Sequence, residues 1–327
     1  MIAAITGASG HVGAALSRAL LAAGDTLRLL VHEDTRALEG LTAQRIQGDL
    51  TDMRSLERAF RGVEIVYHLG ASISLDRRHT EAMRRINVEG TRNVIRACRD
   101  CSVRRLLHVS SIEALADLNP LKATDESNPL AGPRDTTMYG WTKAESERLV
   151  LQAAGDGLDA VILSPTAILG PHDYKPSHLG RSLLDLYHNR LPALIRGGFN
   201  WVDVRDVAEA ALAAGHKGRS AERYIVSGSW RSLPQMAALV AEITGRDGSR
   251  PVLPVWAARA AAGIAGMLPG FGSKYPAFTP EALIAVSKHR EVSCAKAGRE
   301  LNYAPRPLEE SLRDTFDWFR EQGFLSD

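Results

Sequence analysis

The chain opens on a short apolar run, Ile2 to Thr6. Gly7-Ala8-Ser9-Gly10-His11-Val12-Gly13 follows at once, and then a helical pattern through Val12, Leu16, Leu20 and Leu21 that stops at Gly24. Three glycines between a strand and a helix constrain the fold more than any other feature. They permit a tight turn and leave no side chain where a phosphate would approach the backbone. Gly13 lets the helix pack closely on the sheet, and the helix then offers free N–H groups and its positive end to an anion. A glycine motif alone says little, but one with a strand before it and a helix after it meets the requirement of a pyrophosphate site. Gly7, Ser9, Gly10, His11, Val12 and Gly13 are therefore candidate cofactor contacts.

The same rhythm continues along the N-terminal half. Leu27 to Val31, Ile46 to Gly48, Ile65 to Leu69, Leu106 to Val109 and Ala160 to Leu163 read as strands. Between them lie helical patterns at Met53 to Phe60, capped by Asp52, at Thr80 to Arg99 and at Tyr139 to Ala153. Short apolar runs alternating with helices predict an α/β protein with a doubly wound parallel sheet covered on both faces. The loop Asn119 to Thr137 is long for a connection and is expected to serve a site.

After Pro165 the rhythm weakens. Helices are expected at Leu179 to His188, Val204 to Ala214 and Leu233 to Ile243, with a strand at Tyr224 to Val226. The expected organisation is a dinucleotide-binding domain over 1–170, with the chain returning at about 200–230. A smaller, mainly helical C-terminal substrate domain covers most of 171–327. Val255 to Leu268, apolar apart from Arg259, reads as a buried helix, with a pocket wall or a membrane-touching surface as the alternative.

Composition narrows the class. Forty Lys plus Arg against thirty-eight Asp plus Glu leave +2, no field with which to attract nucleic acid or an anionic membrane. No apolar stretch is long enough to span a bilayer, and Met1 is not followed by a leader pattern, so a cytoplasmic protein acting on a small molecule is expected. Three cysteines make no disulfide framework, and the lone Cys98/Cys101 pair reads as buried thiols. His172, His178 and His188 fit no compact zinc spacing, and no metal is assigned.

Tyr139 and Lys143 stand four residues apart, on one face of a helix. An ammonium there is expected to lower the phenol pKa, which suits Tyr139 to exchange a proton with the oxygen of a carbonyl or alcohol. Ser110-Ser111, ending a strand, offers a hydroxyl to the same oxygen. Asp49 is placed to accept from an adenine amino group, and Leu69-Gly70-Ala71 would let a nucleotide lie against the sheet. After the second strand Val31 and His32 supply no acid, and Arg36, with Arg28 a further candidate, could reach the 2'-phosphate of NADP, which is favoured. Glu33 leaves NAD open.

With these residues the chain resembles the extended short-chain dehydrogenase/reductases, in the NAD-dependent epimerase/dehydratase group. The likeness is carried by Thr6 to Gly13, Gly48-Asp49-Leu50, His68 to Ala71, Asn87 to Val94, Ser110-Ser111, Tyr139 to Lys143, Ser164 to Pro171 and Val202 to Val207. It implies a Rossmann-type fold, with Ser111 as the catalytic serine, Tyr139 as acid/base and Lys143 as its partner. It also implies that Asp49 and Leu50 flank the adenine, and that Pro165, Thr166, Ala167 and Ile168 lie by the nicotinamide carboxamide. In character the chain is nearest the dihydroflavonol reductase, cinnamoyl-CoA reductase and 3β-hydroxysteroid dehydrogenase branch, in which a basic residue occupies the position of His32.

Dehydratases of the group carry an Asp-Glu pair just after the serine. Here Ile112-Glu113 follows, and Glu113 reads as structural or solvent-facing, with an acid/base role as the alternative. Epimerases need basic contacts to a diphosphate, for which Arg181, Arg190, Arg196 and Arg205 are available. The apolar content near Phe199 and Trp201 favours instead a reductase or dehydrogenase of a ketone, aldehyde or secondary alcohol. Candidate substrate contacts are Ser72, Ile73, His79, Trp141, Asn200 and Trp201. The alternatives are an epimerase or dehydratase holding NAD tightly, and a non-catalytic NADP-binding regulator. The resemblance also suggests a homodimer, through the helix before Arg99 and the helix of Tyr139.

Overall fold

A computed structural model describes residues 1–117, 119, 122–247, 249–265, 278–288 and 291–325. Its centre is β1 (Ile2–Thr6), which pairs in parallel with β2 (Thr26–Val31) on one side and β4 (Ile65–His68) on the other. β3 (Gln44–Gln47) lies outside β2. Beyond β4 come β5 (Arg105–Val109), β6 (Ala160–Pro165) and β10 (Arg223–Val226), giving the parallel order β10-β6-β5-β4-β1-β2-β3. Every residue of β4 and β6 is buried. Both faces are covered, so these strands read as continuous apolar runs rather than alternating ones.

One face packs on α1 (His11–Ala22) and α7 (Val204–Lys217), through Leu16, Leu20, Val207 and Ala211. The other packs on α2 (Met53–Phe60), α4 (Gly90–Asp100) and α5 (Met138–Gly155), through Leu56, Phe60, Val94 and Val150. Asp52 caps α2, its side chain accepting from the N–H of Arg54. Cys98 and Cys101 are unpaired.

The helix expected from Thr80 to Arg99 is interrupted. α3 (Thr80–Arg84) leads into a π-helical turn, Arg85–Glu89, before α4 begins. In that turn the Asn87 carbonyl accepts from two hydroxyls, those of Thr91 (2.6 Å) and Ser146 (2.7 Å). Apolar periodicity cannot register hydroxyl partners of this kind.

The chain after β6 builds a second group of elements. β7 (Ala167–Leu169), β9 (Gly198–Asp203) and β11 (Ser229–Ser232) form a three-stranded sheet, and β8 (Leu194–Ile195) pairs with β12 (Val252–Leu253). The sequence did not announce these strands, because two to six residues without strict alternation carry little periodic signal. α6 (His178–Tyr187), α8 (Leu233–Thr244) and a late helix, Leu308–Glu321, close over this sheet around Leu183, Trp201, Met236, Leu312 and Phe316. α9 (Val255–Ala265) and α10 (Pro280–Ala285) flank it. Of the apolar segment Val255 to Leu268, positions 266–268 lie outside the described residues. Ala258 is buried, but Trp256 is 74% exposed. No helix among the described residues is long and apolar enough to cross a membrane.

Candidate active site

At the carboxyl ends of the parallel strands lies a cavity of about 480 Å³, running from the glycine turn to the second group of elements. Gly7 takes φ +74°, where L side chains are strained, and a Cβ on it would lie 2.6 Å from the Gly70 nitrogen. No side chain caps α1 and no acid stands in its first turn, so its leading N–H groups remain for an anion. This cradle fits the pyrophosphate of a dinucleotide.

Of the expected cofactor contacts, Gly7, Gly10, His11, Val12, Gly13, Leu69, Ala71, Pro165, Thr166, Ala167 and Ile168 line the cavity. Ser9, in the turn after β1, and His32, Arg36, Asp49, Leu50 and Gly70, beyond the ends of β2, β3 and β4, are not among its lining residues. His32 Nε2 stands 3.8 Å from Asp49. Asp49 also accepts from the N–H (2.7 Å) and hydroxyl (2.6 Å) of Thr51. Arg36 pairs with Asp34 at 2.6 Å on the surface. Arg28 does not reach this end. It lies in the middle of β2 and donates to the carbonyls of Ala59 and Arg61. His11 Nε2 donates to the carbonyls of Gly170 (3.2 Å) and Pro171 (3.0 Å), tying the glycine turn to the chain beyond β7.

Ser111, Tyr139 and Lys143 meet at the middle of the cavity. Of the two serines only Ser111 is hydrogen-bonded to Tyr139. Ser110 donates to buried Glu147 at 2.6 Å, and Glu147 pairs with Arg223. The N-cap Thr137 accepts from the N–H of Gly140 and fixes the first turn of α5, from which Tyr139 projects. The expected depression of the Tyr139 pKa is not met. Burial and the Glu113 carboxylate push it up, and only the Ser111 hydrogen bond works the other way. Lys143 instead donates to the Val109 carbonyl at 2.6 Å, and burial lowers its own pKa to about 8 against the pull of Glu147.

Ile73, Asn200 and Trp201 line the cavity, whereas Ser72, His79 and Trp141 do not. Trp141 follows Tyr139 by two positions, about 200° round the helix, and faces elsewhere. His79 meets Ser74 at 3.2 Å, and both backbone groups of Ser72 are held by Asn87. Glu113 is not solvent-facing. It lines the cavity beside Tyr139, and its carboxylate accepts from the Thr137 hydroxyl. Glu281 and Lys288 also reach this wall, and Glu281 accepts from the Met138 N–H at 2.9 Å. Sequence gave no sign of these last two, which come from a segment more than 130 positions away. Arg181, Arg190, Arg196 and Arg205 stay outside the cavity, and Arg205 is paired with Asp203 and Asp314.

Residues 3–227 match the NAD dependent epimerase/dehydratase family. The chain belongs to that family. Sterol demethylase protein B of Methylococcus capsulatus is 36% identical, over 99% of this chain and 100% of its own length. A 4-hydroxy-2-methyl-3-oxo-4-farnesyl-3,4-dihydroquinoline-1-oxide ketoreductase of Stigmatella aurantiaca is 34% identical, over 92% of this chain and 91% of its own. The crystal structure of gox2253 is 33% identical, covers 99% of both chains and superposes with a TM-score of 0.88. The protein is thus an NAD(P)-dependent enzyme of the epimerase/dehydratase family, with the seven-stranded Rossmann sheet of that family.

Proposed function

We propose that the protein is an oxidoreductase that moves a hydride between NADP(H) and the carbon of a ketone or secondary alcohol carried on a large apolar substrate. Residues 1–170 with the return at 200–230 hold the nucleotide, and most of 171–327 holds the substrate. The observation that carries this reading is the cavity wall beyond Tyr139. Leu183, Leu186, Ile195, Phe199, Met236 and Phe278 build it, and no arginine among the described residues lines it. Two lysines that line the cavity, Lys175 and Lys288, offer a diphosphate point charges but no bidentate clamp, while an apolar body gains by burial. The names of the two relatives, with a sterol in one and a farnesyl-bearing ketone in the other, agree with such a substrate.

Bound nicotinamide supplies or accepts the hydride. Tyr139 is the acid/base. Its raised pKa keeps the phenol protonated at neutral pH, so it is set to give a proton to the oxygen of a bound ketone. Ser111, bonded to Tyr139, orients the same oxygen. Lys143, with a pKa of about 8, is near enough to neutrality to restore the phenol proton. His32 and Arg36 are exposed at the end of β2, and Arg36 can leave a surface pair of small worth to meet a 2'-phosphate, which favours NADP over NAD. The reading includes a cytoplasmic enzyme and a homodimer through α4 and α5.

The test is a panel of apolar ketones with NADPH and NADH. Turnover with NADPH preferred is expected, and Tyr139→Phe should remove it while nucleotide binding survives. Stoichiometric NAD released on denaturation, with no net reduction of any ketone, would overturn the reading in favour of an epimerase or dehydratase.

A further inference from the structure

We infer that His68 is a positioning residue: with Thr91 and Asn87 it forms a directed hydrogen-bond relay that holds the nucleotide turn and the Tyr139 helix in fixed relation. The inference rests on Tyr139 as acid/base. The β-sheet register sets Thr6 of β1 beside His68 of β4, at the carboxyl ends of the strands. Thr6 Oγ1 accepts from the N–H of Gly70 (3.2 Å) and lies 2.7 Å from His68 Nδ1. On the far side His68 Nε2 lies 2.9 Å from Thr91 Oγ1. The Thr91 hydroxyl is 2.6 Å from the Asn87 carbonyl, which can only accept.

That last bond fixes every proton in the chain. Thr91 spends its hydrogen on Asn87, so it must accept from His68, and His68 therefore carries its proton on Nε2. Nδ1 is then an acceptor and takes the hydrogen of Thr6, whose oxygen is left for Gly70. The relay needs a neutral imidazole. Burial, with Lys143 nearby, pushes the pKa of His68 down to about 3 and keeps it so. All four side chains, Thr6, His68, Thr91 and Asn87, are at most 2% exposed.

Asn87 carries the relay to the catalytic helix. Its Nδ2 donates to Thr142 Oγ1 (2.9 Å), whose own hydrogen goes to the carbonyl of Tyr139 (2.8 Å). The same side chain clamps Ser72, accepting from its N–H at 2.7 Å and donating to its carbonyl at 2.9 Å. Ser72 stands between Ala71 and Ile73, which line the cavity. One continuous set of buried and part-buried bonds thus joins the glycine turn, the cavity wall and the backbone of Tyr139. The π-helical turn exists at the point where Asn87 must face all of them.

The experiment compares His68→Gln, Thr91→Val and Thr142→Val with the wild type, well below their unfolding temperatures. It measures NADPH affinity by fluorescence quenching, kcat and KM for the ketone, and the isotope effect with deuterated NADPH. A relay predicts that each variant loses about tenfold or more in kcat with NADPH affinity changed by less than about threefold. It also predicts that the loss in the Thr91→Val/Thr142→Val double variant falls short of the sum of the singles. A merely structural role would lower the unfolding temperature and leave kcat and the isotope effect unmoved, and that result overturns the inference. Thr142→Val keeps shape and volume, so it decides the matter if His68→Gln does not fold. If Tyr139→Phe itself retains turnover, the reading of the active site fails. If Tyr139→Phe is inactive and all three relay variants turn over normally, the relay alone fails.

Discussion

Gly13 offers the sharpest test of how the nucleotide cradle is built. An alanine there would place its Cβ 2.1 Å from the Gly7 carbonyl oxygen, 2.7 Å from the Ala8 Cα and 2.8 Å from the Ala8 oxygen. All three are backbone atoms, so no side chain can swing aside. Restoring an ordinary contact of about 3.4 Å requires the first turn of α1 to withdraw by about 1.3 Å. Overpacking of this kind costs about 3 kcal/mol, and the better helix propensity of alanine returns about 1 kcal/mol, leaving a net loss of about 2 kcal/mol. The same withdrawal moves the leading N–H groups of α1 from where a dinucleotide's phosphates would lie, so affinity for a nicotinamide dinucleotide should fall by about tenfold or more. Gly10→Ala is the control. Its φ is −78° and its Cβ would meet only the Gly7 oxygen, at 3.3 Å, so a loss of about 1 kcal/mol or less is expected. Urea unfolding of the nucleotide-free protein and fluorescence titration with NADPH read both effects. If Gly13→Ala unfolded at the wild-type midpoint and bound NADPH normally, the close helix–turn packing argued above would be wrong.

Three further outcomes are expected. Lys143 has a folded pKa of about 8, below its unfolded value of 10.5, so its charge costs stability below pH 8, and the cost fades as pH rises to 10.5. Lys143→Met should therefore lose turnover yet be more stable than wild type by about 1–3 kcal/mol at pH 7, with the gap closing by pH 10.5; a variant less stable at pH 7 contradicts this. The Tyr67 hydroxyl is buried and has no hydrogen-bond partner among the described residues, so Tyr67→Phe should raise stability by about 1 kcal/mol in urea unfolding, and a loss would refute the reading. His68, with its pKa lowered from 6.5 to about 3, binds its proton more readily unfolded, so stability falls as pH drops below 6.5, by about 2 kcal/mol at pH 5. Comparing unfolding at pH 7 and pH 5, His68→Gln should lose less than the wild type by that amount, and an unchanged difference would rule out a buried neutral imidazole.

Much of the nucleotide half is legible because its signals are local. The strand-turn-helix at Ile2 to Gly13 dictates a parallel sheet with a phosphate cradle, and the runs at Ile65 and Ala160 are apolar throughout because both of their faces are covered. Four-residue spacing sets Tyr139 and Lys143 on one face of α5, and both reach the cavity. The sequence is much less informative where polar groups find partners far along the chain. Glu113 read as structural or solvent-facing, with acid/base only the alternative, although it faces Tyr139, and Trp141 drew notice for its size although it does not line the cavity.

By itself, then, the sequence determined the sheet, the glycine turn and the shared helix face of Tyr139 and Lys143, because backbone geometry and helical periodicity act over a few residues; Ser111 was singled out from Ser110 only by the family resemblance. Tertiary structure alone decided the tyrosine's raised pKa, the apolar wall beside it and the run of bonds from Thr6 to Tyr139. Each depends on which groups share a buried space, and burial and hydrogen-bond partnership are set by elements that meet only when the chain has closed on itself.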